Sequence, residues 1–203
     1  MEKIRKGVWI KFMRIAFTGH RPNNKYMGGY DYNSDKNRII YSYIYNSVLN
    51  TILNNPDEKE FILISGGALG TDQLAAMACI DIKNRMPNKN IIVKIAIPFE
   101  KQDCKWPISS KNIYAQILKL ADIITYVDTI TGYECSDIKV GEYSAKKMIL
   151  RDHYMIDELL KDDNNLLISV YDEESTTHSG TYETICYAKQ KGVKILNINP
   201  KEI

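Results

Sequence analysis

The feature that most constrains the fold of this chain is a regular alternation between short apolar runs and longer amphipathic runs. The short runs are rich in Ile, Leu and Val without polar alternation, which is typical of parallel strands buried on both faces. Strands that alternate with helices indicate repeated βαβ units. We therefore expect an α/β, Rossmann-like three-layer fold, with a mostly parallel sheet and helices on both faces. The predicted strands cover residues 13–18, 61–65, 91–97, 122–127, 166–171 and 193–198, and the predicted helices cover residues 34–54, 70–84, 110–120, 144–161 and 181–191.

The length and continuity of the chain predict a single domain. A chain of 203 residues suits one domain with a proper core, and no repeat, low-complexity tract or long linker divides it. We expect this domain to span residues 13–203, after an N-terminal extension of residues 1–12. Its first helix begins at Ser34, a residue type that favours the N-cap. The helical period predicts that its core-facing residues are Ile39, Ile40, Ile44, Val48 and Ile52.

The composition indicates which classes of binding partner to expect. The formal net charge is +2, and the charged residues of both signs are interspersed. A nucleic-acid-binding domain usually concentrates Lys and Arg on one face, so we do not expect a nucleic-acid partner. No apolar run reaches the roughly 18 residues of a membrane helix, so we expect no membrane partner. The four cysteines and three histidines lie far apart, which predicts reduced thiols, a cytoplasmic location and no metal site.

The loop after the first predicted strand carries the first candidate binding residues. In an open parallel sheet, ligands bind outside the carboxyl ends of the strands. At that position stand Gly19, His20 and Arg21. The glycine permits a tight turn, and the Arg21 guanidinium can present two parallel N–H donors to an anion. A turn with a solvated arginine is the alternative interpretation.

A glycine-rich loop follows the second strand and leads directly into a helix. Glycines let backbone N–H groups approach a ligand closely, and a helix N-terminus favours negative charge. The loop lacks the Lys-Ser or Lys-Thr pair of a Walker A motif. We predict that backbone N–H groups of this loop bind a phosphate, and that the Asp72 carboxylate accepts a hydrogen bond from a ribose hydroxyl. The alternative is a plain turn with an acid in the first turn of the helix. The candidate residues are Gly66, Gly67, Gly70, Thr71 and Asp72.

Two later segments add weaker candidates. After the third strand, Gln102 and Trp106 offer a hydrogen bond and a stacking face to a base, although a loop aromatic can also pack over the sheet. On the helix of residues 144–161, Arg151 and Met155 share a face because they are four residues apart. A surface ion pair is the alternative role for Arg151.

A second cluster of small residues follows the fifth strand. Ser179, Gly180 and Thr181 open the last helix, where Ser179 or Thr181 can act as the N-cap. The same geometry makes a second anion cradle at the same edge of the sheet. Together with Arg21 and Arg151, the two cradles predict a site for a phosphate-bearing ligand.

These segments together resemble the SLOG superfamily, which includes the DNA-processing protein A family, the LONELY GUY phosphoribohydrolases and the YpsA-like proteins. The resemblance begins with Thr-Gly-His-Arg-Pro after the first strand and Ser-Gly-Gly-Ala-Leu-Gly-Thr-Asp after the second. It is greatest for the small YpsA-like proteins, whose pattern continues with Pro-x-x-x-Gln-x-x-x-Trp, Arg-x-x-x-Met-x-Asp and a Gly-Thr helix start. These positions are occupied here by Pro98, Gln102, Trp106, Arg151, Met155, Asp157, Gly180 and Thr181.

The resemblance implies a Rossmann-like fold that holds a nucleotide, a nucleotide sugar or a related signal, commonly in a homo-oligomer. The LONELY GUY enzymes cleave N-glycosidic bonds with an arginine and a glutamate, which would correspond here to Arg151 and Glu183, or to Asp157 as the acid. In this chain Thr184 occupies the position of that glutamate, and Glu183 comes one residue early. Consecutive helical residues differ by about 100° in direction, so Glu183 would face away from the bond.

We expect a protein that binds a nucleotide-derived small molecule, as a sensor or sequestering protein, without a cofactor. The alternatives are an N-ribohydrolase that acts on nucleoside monophosphates and a single-stranded DNA-binding protein. Single-stranded DNA binding is implied by the resemblance to DNA-processing protein A. Such binding suits a basic groove with stacking aromatic residues, whereas the charge of this chain is nearly balanced.

Overall fold

The computed structural model describes residues 3–5, 8–174 and 179–203. Strands β1 (Lys3–Arg5) and β2 (Val8–Ile10) pair antiparallel as a separate two-stranded sheet. The main sheet begins at Phe12, close to the boundary expected from the sequence. Its strands are β3 (Phe12–Gly19), β4 (Glu60–Ser65), β5 (Asn90–Ile97), β6 (Ile123–Tyr126), β7 (Asn164–Val170) and β8 (Ile195–Ile198).

All neighbouring pairs in the main sheet are parallel, in the order β6-β5-β4-β3-β7-β8. The strand β3 therefore lies between β4, which follows it in sequence, and β7, which comes much later. The winding of the chain reverses at this point, and the loops after β3 and β7 leave the sheet in opposite directions. Such a switch point opens a crevice at the carboxyl edge of the sheet.

Five helices cover the two faces of the sheet. They are α1 (Asp35–Leu53), α2 (Thr71–Arg85), α3 (Ile108–Leu120), α4 (Ala145–Leu159) and α5 (Gly180–Gln190). Side chains of α1, α2 and α3 pack with Ile15 and Phe17 in one apolar cluster, whereas those of α4 and α5 pack with Ala16 in another. Because consecutive residues of a strand point to opposite faces, these clusters lie on either side of the sheet. The predicted three-layer Rossmann-like fold is confirmed.

Two details differ from the expectations. Ile40, Ile44, Val48 and Ile52 are fully buried, but Ile39 is 41% exposed, because it lies one position outside the row of residues spaced four apart. The fourth predicted strand is shorter than expected, and Ile123 and Ile124 on it are exposed because β6 forms an edge of the sheet.

A buried ion pair fixes the segment between β6 and α4. The Lys147 ammonium on α4 lies 2.9 Å from an Asp128 carboxylate oxygen, and both side chains are 1% exposed. Lys147 also donates to the carbonyl oxygens of Lys139 and Glu142, and the Gly141 N–H donates to Asp128. One buried cation therefore holds three points of a segment whose regular structure is limited to a single 3₁₀ turn, Val127–Thr129.

We predict that Lys147→Met lowers the free energy of unfolding by about 3–5 kcal/mol, because it leaves the Asp128 carboxylate buried without its cation. Urea denaturation measures the change. The neighbouring Lys146 is the matched control: its pair with Asp137 is exposed on both sides, so Lys146→Met should leave stability nearly unchanged. Equal effects of the two substitutions would contradict the role of the buried pair.

Candidate nucleotide-binding site

The loop after β3 is fixed by two threonine hydroxyls from different helices. The Thr181 hydroxyl donates to the Gly19 carbonyl oxygen at 2.9 Å, and the Thr71 hydroxyl donates to the His20 carbonyl oxygen at 3.1 Å. A Cβ atom on Gly19 would lie 2.5 Å from the Thr71 hydroxyl oxygen, so only glycine fits there. Both carbonyl oxygens are thus turned into the protein.

His20 is a buried, neutral part of this support. Its Nε2 accepts a hydrogen bond of 3.0 Å from the Asp172 backbone N–H, so this nitrogen carries no proton. Burial lowers the pKa of the imidazole below its usual value, and the Asp172 carboxylate opposes that shift only in part. The ring therefore joins the loop after β3 to the loop after β7 without adding charge to the crevice.

The glycine-rich loop lies beneath the first loop. The Thr71 N–H donates to the His20 carbonyl oxygen at 3.2 Å, and the Gly70 N–H donates to the Tyr32 hydroxyl at 3.2 Å. Gly70 has a φ of +89°, and a Cβ there would lie 2.6 Å from the same His20 oxygen. The N-terminus of α2 is therefore engaged by the protein, and Gly66, Gly67, Gly70 and Thr71 support the crevice from below.

Arg151 crosses this loop from the opposite side of the sheet. The guanidinium extends from α4 to α2, where Nη1 donates to an Asp72 carboxylate oxygen at 3.2 Å. Its Nε lies 2.8 Å from Asp152, and the side chain is 3% exposed. A Cβ on Gly66 would lie 1.3 Å from Nη1, so the absence of a side chain at Gly66 makes room for the guanidinium.

The two carboxylates determine the charge state of this cluster. Burial opposes the charge of the Arg151 guanidinium, but Asp152 and Asp72 outweigh it, so the arginine pKa lies above its usual value. Burial also raises the pKa of Asp152, and the nearby Asp72 acts in the same direction; Arg151, Arg21 and the Thr184 hydroxyl oppose the rise. Asp152 is therefore an acid that holds a proton at higher pH than an ordinary aspartate.

An inner cavity of about 500 Å³ opens at the switch point, which is a typical volume for a small-molecule site. Its polar lining combines Arg21, Asp72, Arg151 and Asp152. The remaining wall comprises residues of the first loop, the α5 N-terminus and the α4 side chains Met148 and Ile149.

The open end of this cavity carries unused hydrogen-bond donors. Ser179 caps α5 by accepting from the Tyr182 N–H at 3.2 Å. The N–H groups of Gly180 and Thr181 have no acceptor within the part of the chain that the structure describes. Arg21 is exposed, and its guanidinium makes no ion pair with any described residue. Arg21, Gly180 and Thr181 all line this cavity.

An outer cavity of about 440 Å³ adjoins the inner one. It is lined by the rings of Phe99, Trp106 and Tyr143, together with Gln102 and Glu183. The two cavities share a wall, formed by Arg21, Met148, Ile149, Ser179 and Gly180. The shared wall therefore stands between a charged compartment and an aromatic one.

The structure brings most of the predicted residues to this crevice, but it separates the predicted catalytic pair. Arg151 lines the inner cavity, whereas Glu183 is exposed and lines the outer one. Asp157 lies elsewhere, because its carboxylate accepts hydrogen bonds from the Tyr133 and Tyr187 hydroxyls. The catalytic roles of Arg151 and Glu183 remain predictions.

Sequence reasoning missed Thr18, Asn23 and Asn24 near the first loop and three residues of α4, all of which line the inner cavity. Asp152, Met148 and Ile149 lie on α4 next to Arg151 in space. Met148 and Asp152 are four residues apart and therefore share a helix face, which is the signal that would have identified them. Among residues 8–174 and 179–203, we find no group of three or more potential metal ligands, and no helix there is long and apolar enough to cross a membrane.

A sequence model of the YspA SLOG family matches residues 15–203, which is nearly the whole chain. This chain belongs to the YspA SLOG family. The uncharacterized SPbeta prophage-derived protein YoqJ of Bacillus subtilis (strain 168) is 39% identical to this SLOG protein over 134 residues, which are 66% of this chain and 72% of YoqJ. The UPF0398 protein BH1768 of Halalkalibacterium halodurans is 29% identical over 132 residues, 65% of this chain and 60% of that protein. The resemblance to YpsA-like SLOG proteins is confirmed.

We predict that Gly66→Ala displaces Arg151 from its carboxylates and destabilises this SLOG protein by about 1–3 kcal/mol, because the new methyl group overlaps the guanidinium. Thermal and urea denaturation measure the loss. Gly180→Ala is the matched control, since the nearest atom to a Cβ there is 3.9 Å away and the substitution should be tolerated. An equally stable Gly66→Ala variant would show that Arg151 does not depend on the gap.

Proposed function

We propose that this protein binds a nucleotide or nucleotide-derived small molecule that bears a phosphate, as a sensor or sequestering protein. One observation carries the proposal: Arg21, which makes no ion pair with any described residue, lines the same cavity as Gly180 and Thr181, whose N–H groups have no acceptor among residues 8–174 and 179–203. A helix N-terminus with an adjacent arginine is a strong arrangement for holding phosphate oxygens. Membership of the SLOG family is compatible with a nucleotide-related role.

The positions of the charges suggest how such a ligand lies. In this proposal, the phosphate occupies the shared wall, where Arg21 and the α5 N-terminus supply donors. The phosphate cradle is thus assigned to α5, because the N–H groups of Gly70 and Thr71 on α2 are already engaged. Asp72 and Asp152 in the inner cavity then accept hydrogen bonds from ribose hydroxyls, and the rings of the outer cavity stack on the base.

The balance of charge in the inner cavity limits the ligand. Arg21 and Arg151 are offset by Asp72 and Asp152, so the cavity has no large excess of positive charge. Single-stranded DNA binding needs an extended basic groove, and this crevice instead suits a ligand with few phosphates. We further propose a cytoplasmic homo-oligomer, as the resemblance implies; light scattering on the purified chain tests the assembly.

A specific observation favours a second candidate function, N-ribohydrolysis. Thr184 occupies the position at which the LONELY GUY pattern has its glutamate; its hydroxyl donates to the Gly180 carbonyl oxygen at 2.7 Å and lies close enough to Asp152 to favour the charged form of that carboxyl group. The acid missing from α5 is thus replaced in space by one from α4, beside Arg151. This candidate differs from the first in placing the base and its glycosidic bond in the inner cavity, beside Asp152. A carboxyl group with a raised pKa suits a general acid that protonates the departing base while water adds to the ribose carbon. The products would be the free base and ribose 5-phosphate.

We predict that Arg21→Ala weakens binding of mononucleotides such as AMP by tenfold or more, because a charge-assisted hydrogen bond contributes about 1.5–3 kcal/mol. Calorimetry measures the affinity, and a ligand-induced rise in melting temperature reports it independently. Lys25→Ala is the matched control, because Lys25 is an exposed cation that belongs to the same loop as Arg21 but lines neither cavity. Unchanged affinity in Arg21→Ala would contradict the assigned phosphate position.

For the second candidate, we predict that Asp152→Asn slows release of ribose 5-phosphate by about 100-fold or more, as expected for loss of a general acid. Because the acid acts while protonated, the wild-type rate should fall as pH rises through the elevated pKa of Asp152. Chromatography of the products provides the measurement. Glu183→Gln is the control and should retain activity, since Glu183 lines the other cavity. If the wild-type protein binds mononucleotides and leaves them intact, binding alone is its function.

A further inference from the structure

The amide of Gln102 is held in one orientation at the wall of the outer cavity. Its Nε2 donates to the Tyr114 hydroxyl at 2.7 Å and to the Gly66 carbonyl oxygen at 3.3 Å. If the amide were rotated by 180°, its oxygen would face the Gly66 carbonyl oxygen, and both atoms can only accept. The side-chain oxygen, Oε1, must therefore point away from these partners.

This oxygen has no hydrogen-bond donor within the described part of the chain. Gln102 is 7% exposed, so water does not readily serve in place of a donor. Buried acceptors of this kind are rare in folded proteins, because a missing hydrogen bond costs the full desolvation of the group. Gln102 lines the outer cavity beside the rings of Phe99, Trp106 and Tyr143. The residue that carries the unused acceptor thus lines a pocket that also contains three aromatic rings.

We infer that Gln102 selects the base of the ligand, by accepting a hydrogen bond from an exocyclic amino group such as that of adenine or cytosine. This inference rests on the proposed function and specifies the class of base. An amide oxygen can only accept, so the group that meets it carries an N–H or O–H. The neighbouring rings offer stacking faces to a flat heterocycle. An exocyclic amino group projects beyond the ring, so it reaches a recessed oxygen that a ring N–H does not.

The same acceptor fixes the direction of the ligand. Phosphate oxygens at neutral pH are acceptors and repel Oε1, so the phosphate end lies toward Arg21 on the shared wall. The base end lies toward Gln102 and Trp106. Because Oε1 is covered by protein atoms when the cavity is empty, the amino group reaches it only after a small displacement of neighbouring side chains. Trp106, which lines the cavity and packs edge-on against Tyr114, is positioned to report that displacement by fluorescence.

The test compares nucleotides that differ only in the amino group. AMP is paired with purine riboside 5′-monophosphate, and CMP with 2-pyrimidinone riboside 5′-monophosphate; these pairs distinguish a purine from a pyrimidine site. Affinities are measured by calorimetry and by fluorescence in a Trp9→Phe background, which leaves Trp106 as the only tryptophan. In the wild-type protein, we expect at least one amino-bearing nucleotide to bind about tenfold more tightly than its analogue, as one unmet acceptor predicts.

Gln102→Met removes the acceptor and should make the two members of the pair bind equally. Tyr114→Phe is the matched control: it removes one partner of Nε2, leaves Oε1 in place and should keep the preference for the amino group. Circular dichroism and melting temperatures confirm that both variants fold. A Gln102→Met variant that has lost its fold is replaced by Gln102→Leu, with the same expected loss of preference.

The outcomes separate this inference from the proposed function. If wild-type protein binds both members of each pair with equal affinity, or if Gln102→Met keeps the preference, the role of Gln102 is overturned and nucleotide binding stands. If none of the four nucleotides binds, the proposed function fails for mononucleotides, and the inference fails with it.

Discussion

Arg151 is a cation that extends from α4 across the carboxyl edge of the sheet to α2, and the crevice at the switch point is arranged around it. Removing a guanidinium from water costs several kcal/mol, so it is stable there only because Asp72 and Asp152 lie against it. Because α2 and α4 cover opposite faces of the sheet, this cluster joins the two outer layers at the switch point. The gap at Gly66 is the steric condition for the contact.

The first loop and the glycine-rich loop have different roles in forming the crevice. In the glycine-rich loop, the Thr71 N–H and hydroxyl donate to the His20 carbonyl oxygen of the first loop, and the Gly70 N–H donates to the Tyr32 hydroxyl. The small glycine side of this loop lets the first loop pack closely against it. Held in this way, the first loop places Arg21 on the wall between the inner and outer cavities. Beside it, the N–H groups of Gly180 and Thr181 at the start of α5 have no acceptor among the described residues. The glycine-rich loop, which resembles a phosphate-binding loop in sequence, thus mainly supports the first loop.

The inner and outer cavities have different chemistry, and that difference shapes the proposed ligand. Carboxylates and arginines line the inner cavity, whereas aromatic rings and the Gln102 amide line the outer one. The proposed ligand therefore presents hydroxyl groups to the inner cavity, a flat ring to the outer one and an anion to the shared wall. In a nucleotide, the ribose carries all three of these groups, its own hydroxyls, the base and the phosphate, and we propose that it lies where the two cavities meet. The same inner cluster also contains an acid with a raised pKa, Asp152, so both proposed functions, nucleotide binding and N-ribohydrolysis, involve the same cluster of charged residues.

The sequence by itself determined the α/β class, the six strands of the sheet and the loops at its carboxyl edge, because these depend on local hydrophobic period and on glycine positions. It also indicated Arg21, Arg151 and Ser179–Thr181 as members of one site. The helical spacing indicated that Glu183 would face away from the bond, but the sequence did not predict that Asp152 would stand beside Arg151 or that Asp157 would be bound by Tyr133 and Tyr187. Only the tertiary structure decided the strand order, the burial of Arg151 and the use of the α2 N–H groups by the protein. The physical reason is that partners such as Arg151 and Asp72 are 79 residues apart, and no local pattern specifies which distant groups will share a buried charge.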